Sequence, residues 1–407
     1  MNVDYNRVNK YRLWLSSCCK NSSTLRKFYT VSGEPESIYN DIHTIAKTGV
    51  KGVAPSIIKS LRSTDPDRLY DKVGESVRKH DIDILFCDDP IYPEKLRICN
   101  DAPSMLFLRG RLIPNLICTV GVVGTRNYTE HGAELADVYA YSIAKKGATV
   151  VSGMAKGIDT IAAKSALHTY AASYPTIAVL GSGVDVPTPS ENRALYEEII
   201  EKGSVISQFM PGEMPTRYTY PMRNKVIAGL SDALLVIEAG KYSGALITAN
   251  AAVKYQRKVY SIPARISDKT FEGSLQILRD GRAAFAEDAN SFIKSVYGSD
   301  DAAREYIIPD IDLDPVITPQ DNYLIGYLDK EIKKYDDKKE YMTDMLDYDS
   351  KKIYNALIGK DLTFDELVAK SGLPLKRLNH CLTMMEINGL IVQTMGRDYH
   401  LVVDNIQ

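Results

Sequence analysis

Two glycine turns gather the groups best suited to hold an anion. The first, Gly124-Thr125-Arg126, ends the apolar run Ile117 to Val123. The second, Ser152-Gly153, with Lys156 and Gly157 just beyond, ends a run carrying Val150 and Val151. Glycines let a phosphate approach the backbone, and N–H groups at a helix start favour negative charge. Arg126 and Lys156 bring one cation to each turn. Further cations, Arg217, Arg223, Lys225 and Lys241, fall in later strand-to-helix connections, with Tyr128, Tyr218, Tyr220 and Tyr242 among them. Cations that hold a phosphate chain, interleaved with aromatics on which bases stack, equip a protein for single-stranded nucleic acid. The competing reading is an ordinary solvated face. It suits Lys241 and Arg217 better than Arg126 and Arg223, which sit in tight turns beside glycine or proline.

Other chemistries are poorly served. The first turn is GxxGxR rather than GxGxxG, and no acidic residue ends the second strand to hold a ribose, which argues against a nicotinamide or flavin cofactor. No GxxxxGK[ST], GxSxG or HExxH occurs. The six cysteines form no CxxC and have no histidine at metal-ligand spacing. No metal, cofactor or catalytic set is therefore expected. Asp159 should cap its helix or pair with a neighbouring cation, and Glu238 should order the 239–244 loop.

The elements that must position these turns alternate strand and helix. Glu130 to Lys145 reads as an amphipathic helix stopped near Gly147. Helices are also expected over Ile158–Ser173, Glu191–Lys202, Met222–Leu230 and Ala245–Tyr255. Strands are expected over Thr176–Leu180, Ser204–Phe209, Ala233–Ile237 and Lys258–Ile262. Such alternation means a parallel sheet with helices on both faces, its ligand crevice outside the carboxyl ends of the strands. Upstream, Asp83 to Phe86 and Met105 to Arg109 read as additional strands.

The flanks read differently. Residues 1–75 form short helices, with a turn from Thr48 to Ala54 loosely like a helix-hairpin-helix turn, so a small helical domain of that or the SAM type is expected. The core spans 76–298. Segment 299–350 carries 6 Lys+Arg against 15 Asp+Glu and reads as an acidic linker; it hides a mildly basic remainder under a formal net charge of −2. Residues 351–407 read as three helices and a hairpin, a winged helix, whose third helix carries Lys376, Arg377 and His380. With neither signal peptide nor an apolar run near 18 residues, a soluble cytoplasmic protein without membrane contact is expected.

The runs VGVVGTR, SGMAKGID, TIAVLGSGVD and YPMRNKVIAGLSDALLVIEAGKYSGALITA, in that order, resemble the DNA processing protein A (DprA/Smf) family over about residues 80–285. The resemblance implies an extended Rossmann-like core that dimerises. It also implies sequence-independent binding of single-stranded DNA, and loading of the RecA recombinase during natural transformation. By motif it makes Gly124, Thr125, Arg126, Ser152, Gly153, Lys156, Gly157, Arg223, Asn224, Lys225, Ser243, Gly244 and Thr248 the phosphate- and DNA-holding residues. Departures mark a divergent member: Ala163, Thr188, Gln208 and Ala264 replace usual residues, and Lys225 stands for arginine, keeping charge but losing the planar fork. The alternative is a nucleotide-binding sensor, or a nucleoside-monophosphate-cleaving enzyme of the lysine-decarboxylase-like group. The PGGxGTxxE motif of that group is absent, and AGKYSGALITA stands at the comparable place.

Overall fold

The computed structural model describes residues 8–111, 113, 118–169, 174–264, 268–298, 348–357, 360, 362–375, 378–379, 381–382, 385, 391–393 and 398–401. They fall into two compact units divided near residue 306. The first holds a nine-stranded sheet: β1 Asp83–Phe86, β2 Met105–Gly110, β3 Thr119–Val123, β4 Thr149–Ser152, β5 Thr176–Val179, β6 Ser204–Ser207, β7 Ala233–Val236, β8 Lys258–Ser261 and β9 Ala284–Phe285. Its order is β1-β2-β6-β5-β4-β3-β7-β8-β9. β2 runs antiparallel to both β1 and β6, and the seven strands β3 to β9 are mutually parallel.

Successive valines and leucines explain how one sheet serves two helical layers. Side chains alternate faces along a strand. Val122, Val150 and Leu235 enter a core with Ala140, Ile143 and Phe292. Their neighbours Val123, Val151 and Leu234 enter the opposite core with Val226, Ile227 and Ala249. The first core is closed by α8 (Glu130–Lys145), α9 (Ile158–Leu167) and α14 (Ala289–Tyr297). The second is closed by α11 (Thr219–Leu230) and α12 (Ala245–Lys254). α10 spans Arg193–Lys202, and α13 spans Glu272–Arg279. Strand crossovers run from β3 outward through β4, β5 and β6, then return to the other side of β3 with β7. β3 and β7 are therefore a topological switch point, where the loops leaving the two strands diverge and open a crevice.

The N-terminal helices are α1 Lys10–Cys19, α2 Ser22–Ser32, α3 Pro35–Asn40, α4 Ile42–Thr48, α5 Pro55–Ser63 and α6 Pro66–His80, and the short α7 covers Glu94–Arg97. Trp14, Leu25, Phe28 and Ile38 share one apolar core with α11 and α12. Arg12 on α1 bonds Asp88 and Asp89, the latter at 2.7 Å, and lies 4.3 Å over the Phe86 ring, so the helices are joined to the β1 edge. The expected domain boundary at residue 75 falls inside α6, a single helix whose start is set by the Asp65 cap and Pro66. α2 is capped by Asn21. The Gly49 to Val53 turn joins α4 and α5, with positive φ at Gly49 and Gly52.

The second unit contains α15 (Tyr348–Leu357), α16 (Phe364–Ser371) and a three-stranded antiparallel sheet of β10 (Leu362–Thr363), β11 (Ile391–Gln393) and β12 (Asp398–Leu401), in the order β10-β12-β11. Thr363 and Glu366 form a capping box at the start of α16. Most of the expected third helix, with Lys376, Arg377 and His380, lies outside the described residues. So does the acidic linker from 299 to 347. Among the described residues, no helix is long and apolar enough to cross a membrane.

Candidate nucleic-acid interface

At the switch point lies a cleft of about 720 Å³. It is lined by Gly124 to Asn127 after β3, by Arg217, Tyr220, Arg223 and Asn224 from the loop before α11 and its first two turns, and by Gly240 to Gly244 after β7. Ala155, Asp159, Ile247 and Thr248 also contribute to its wall. Of the residues expected to hold DNA, the structure brings Gly124, Thr125, Arg126, Arg223, Asn224, Ser243, Gly244 and Thr248 together here. Ser152, Gly153, Lys156, Gly157 and Lys225 are not among the lining residues.

The floor is built around Asp159, in the first turn of α9. Its carboxylate accepts from the amide of Gly153 at 3.1 Å, and the amides of Ala155 and Gly124 favour its charge. Amides of both glycine turns thus act on a carboxylate of the chain itself. The two turns also touch directly: the Ile158 amide donates to the Thr125 carbonyl at 3.2 Å. A Cβ at Gly157, where φ is +89°, would stand 2.4 Å from that carbonyl oxygen and 2.8 Å from Arg126 Cα. One at Gly124 would meet Ile158 at 2.6 Å. These glycines let two turns of the chain approach one another.

Arg223 belongs to this floor. It is 5 % exposed, and its Nη1 donates to the Val179 carbonyl at 3.0 Å. The guanidinium occupies the space where a side chain at Gly153 would begin, 1.4 Å from the ideal Cβ position. Burial pushes the guanidinium pKa down and the Asp159 carboxyl up, while the attraction between the two charges opposes both shifts. Arginine stays charged even so, so Asp159 and Arg223 neutralise each other beneath the cleft. Ser152 is fully buried, and its hydroxyl donates to the Asp159 carbonyl at 3.3 Å. Gly153 and Gly157 are covered by Arg223 and by the first turn, with no space beside them for a phosphate.

The rim is different. Arg126, Arg217 and Lys241 are exposed, one on each of three loops. Arg126 lies 5.3 Å over the Tyr220 ring, Arg217 lies 4.7 Å over Tyr218, and Lys241 lies 5.8 Å over Tyr242. Tyr242 is 92 % exposed, Tyr218 67 % and Tyr128 48 %. Open tyrosines of this kind bury little apolar area in the chain itself and present ring faces to solvent. Deeper in, the Asn224 amide donates to the Gly244 carbonyl at 3.2 Å, and Ser243 accepts from the Ala245 amide at 3.3 Å at the start of α12.

Two expected cations are engaged elsewhere. Lys156 is exposed and bonds Glu191 at 2.6 Å. Lys225, one helical step beyond Asn224, turns to Asp101, which also accepts from Lys254 and Tyr255. Burial alone would raise the Asp101 carboxyl, but the Lys225 and Tyr255 hydrogen bonds and the two lysine charges bring it down to about 2. Glu238 also departs from expectation. It is fully buried and accepts from the Thr129 amide and hydroxyl at 3.0 and 3.1 Å, tying down the start of α8 rather than the 239–244 loop. Gly132 permits this approach, since a Cβ there would fall 1.9 Å from Glu238 Oε2.

Comparison with known proteins gives the chain a family. The family model for the DNA recombination-mediator protein A matches residues 83–297, over half of the chain. The chain belongs to that family. A model for the DprA winged helix domain matches residues 342–397. Protein Smf of Synechocystis is 35% identical over 325 residues, covering 77% of this chain and 78% of that protein. DNA processing protein DprA of Streptococcus pneumoniae is 37% identical over 193 residues, 47% of this chain and 67% of that one. The solved structure of the pneumococcal DprA aligns with a TM-score of 0.59 at 28% identity, over 71% of this chain and 98% of that one. The DprA fold is thus shared: a helical N-terminus, a large mostly parallel sheet and a C-terminal winged helix.

Within this family framework, the sequence motifs located the cleft but did not sort its floor from its rim. Arg217, Tyr220, Lys241 and Tyr242 line the cleft without belonging to the motif-derived set. The signal that finds them is the alternation of cation and aromatic in Arg217-Tyr218-Thr219-Tyr220 and in Lys241-Tyr242.

Proposed function

We propose that the chain binds single-stranded DNA along the rim of this cleft, without marked sequence preference. We further propose that it serves as a recombination mediator, loading a RecA-type recombinase as a cytoplasmic homodimer. The observation that carries the binding reading is the set of three cation–tyrosine pairs on three loops around one crevice. Charges that grip phosphate and rings that stack on any base favour flexible strands over duplex, and they read no sequence. Arg126, Arg217 and Lys241 hold the phosphates. Gly124, Thr125, Asn224, Ser243, Gly244 and Thr248 shape the wall between them.

Binding without turnover fits the carboxylates. Asp159 accepts from the Gly153 amide beside the buried Arg223, and Glu238 is fully buried outside the cleft lining, so neither is placed as an acid or base toward a nucleotide. The test is a titration of labelled single-stranded and duplex oligonucleotides over a salt series, with nucleoside monophosphates as competitors. The expected result is preference for single strands, weakening with salt, with no release of free base. Equal affinity for both forms, or displacement of DNA by a micromolar mononucleotide, would contradict it.

A further inference from the structure

We infer that Asp159 is a positioning residue for DNA binding: by holding the second glycine turn, against which the first is packed, it fixes the direction in which Arg126 leaves the cleft. The inference rests on the proposed binding role of Arg126, and its support is geometric. Asp159 is buried and accepts from the Gly153 amide of the second turn at 3.1 Å, and the Gly124 amide, two residues before Arg126, favours its charge. The first turn is pressed from the other side by Gly157, and the Ile158 amide holds the Thr125 carbonyl. Met154, inside the second turn, sits at a positive φ of 53°. A non-glycine residue holds that conformation only where its surroundings over-determine it. The Asn192 side-chain amide, donating to the Met154 carbonyl at 2.9 Å, is part of that restraint.

An internal carboxylate in an amide cradle has a functional consequence. The cradle has no vacancy for a DNA phosphate, so the turns act through the side chain they aim. A charge whose direction is fixed by a rigid support loses less freedom when it grips a ligand. Weakening the support should therefore cost affinity only while Arg126 is present to be aimed.

A double-mutant cycle of Arg126→Ala and Asp159→Asn in the full-length chain tests this, with Kd for an oligothymidylate measured over a salt series. Arg126→Ala is expected to weaken binding roughly tenfold to a hundredfold. Asp159→Asn alone should weaken it by a similar factor and flatten the log–log salt slope by about 0.7, the value for one lost single-strand phosphate contact. In the Arg126→Ala background, Asp159→Asn should add less than about a twofold loss. If Asp159→Asn does not fold, Asp159→Glu carries the same cycle, because it keeps the charge beside Arg223 while moving the carboxylate off the Gly153 amide. Wild-type affinity in the Asp159 variant, or losses that multiply in the double variant, would overturn the positioning role. An unchanged Kd for Arg126→Ala alone would instead overturn the binding reading beneath it.

Discussion

At the floor of the cleft Arg223 is buried, bonded to the Val179 carbonyl and balanced by Asp159. A few residues away in space, Arg126 extends into solvent over the ring of Tyr220, which Arg223 also faces at 5.8 Å. The two arginines border the same crevice and touch the same tyrosine, yet one has spent its charge inside the protein and the other has not. The glycines differ in the same way. Those of the floor admit other parts of the chain, while Gly244 at the start of α12 has open space where a Cβ would project. The lesson is that residue type and adjacency to a cleft do not identify a ligand contact; what decides is whether the group is already partnered.

The contrast would break first at the floor. Arg223→Ala should destabilise the first unit on the order of 3 kcal/mol, because it strands a buried carboxylate and opens a void against Gly153. Trp14, the single tryptophan and fully buried in the core shared with α11, reports this as a lower urea midpoint in its fluorescence. An unchanged midpoint would place Arg223 on the rim after all. Next in size comes Tyr242→Ala. A solvent-facing ring lost from a stacking site should weaken single-strand binding by about 1–3 kcal/mol per base and leave the urea midpoint where it was. Unchanged affinity would remove Tyr242 from the DNA path.

Smaller effects sharpen the comparison at the Asp101 cluster, outside the cleft lining. Asp101→Asn should cost no more than about 1 kcal/mol, since the cluster is partly exposed and screened by solvent. The folded carboxyl pKa of about 2 lies below the unfolded value. Its contribution is therefore fully present above about pH 4 and lost as the pH falls toward 2. The gap between wild-type and variant midpoints should close over that window; a gap that persisted at pH 2 would assign the effect to packing. Lys225→Ala, which removes one partner of Asp101, should change Kd for DNA by less than about twofold. A tenfold loss would return Lys225 to the interface.

Much of this architecture was legible in the sequence. The span of α8, Glu130–Lys145, followed from its apolar spacing, and the structure adds Thr129 as its cap. The alternation of strand and helix announced a parallel sheet covered on both faces, with its crevice outside the carboxyl ends of the strands. Domain edges were less legible, because α6 continues through residue 75 and packs with the sheet; nothing local in Tyr70 to His80 marks that continuation as either linker or core. The floor was hidden for a related reason. Asp159 was expected to cap its helix or pair with a cation; it faces the Arg223 charge, but its hydrogen bond goes to the Gly153 amide, in a turn 29 residues beyond the first one at Gly124. Arg223 and Lys225 look alike as members of an Arg-Asn-Lys run. Two steps along α11 rotate one inward to Val179 and the other outward to Asp101. That rotation follows from helix geometry, but which face is inward depends on tertiary packing.

The most direct measurement is the salt dependence of single-strand binding for wild type and Arg126→Ala, made at a urea-unfolding midpoint shown to be the same for both. The account predicts roughly a tenfold to hundredfold weaker Kd for the variant, similar for every oligonucleotide sequence, and a log–log slope flatter by about 0.7. An Arg126→Ala protein as stable as wild type, with unchanged Kd and unchanged slope, would contradict it.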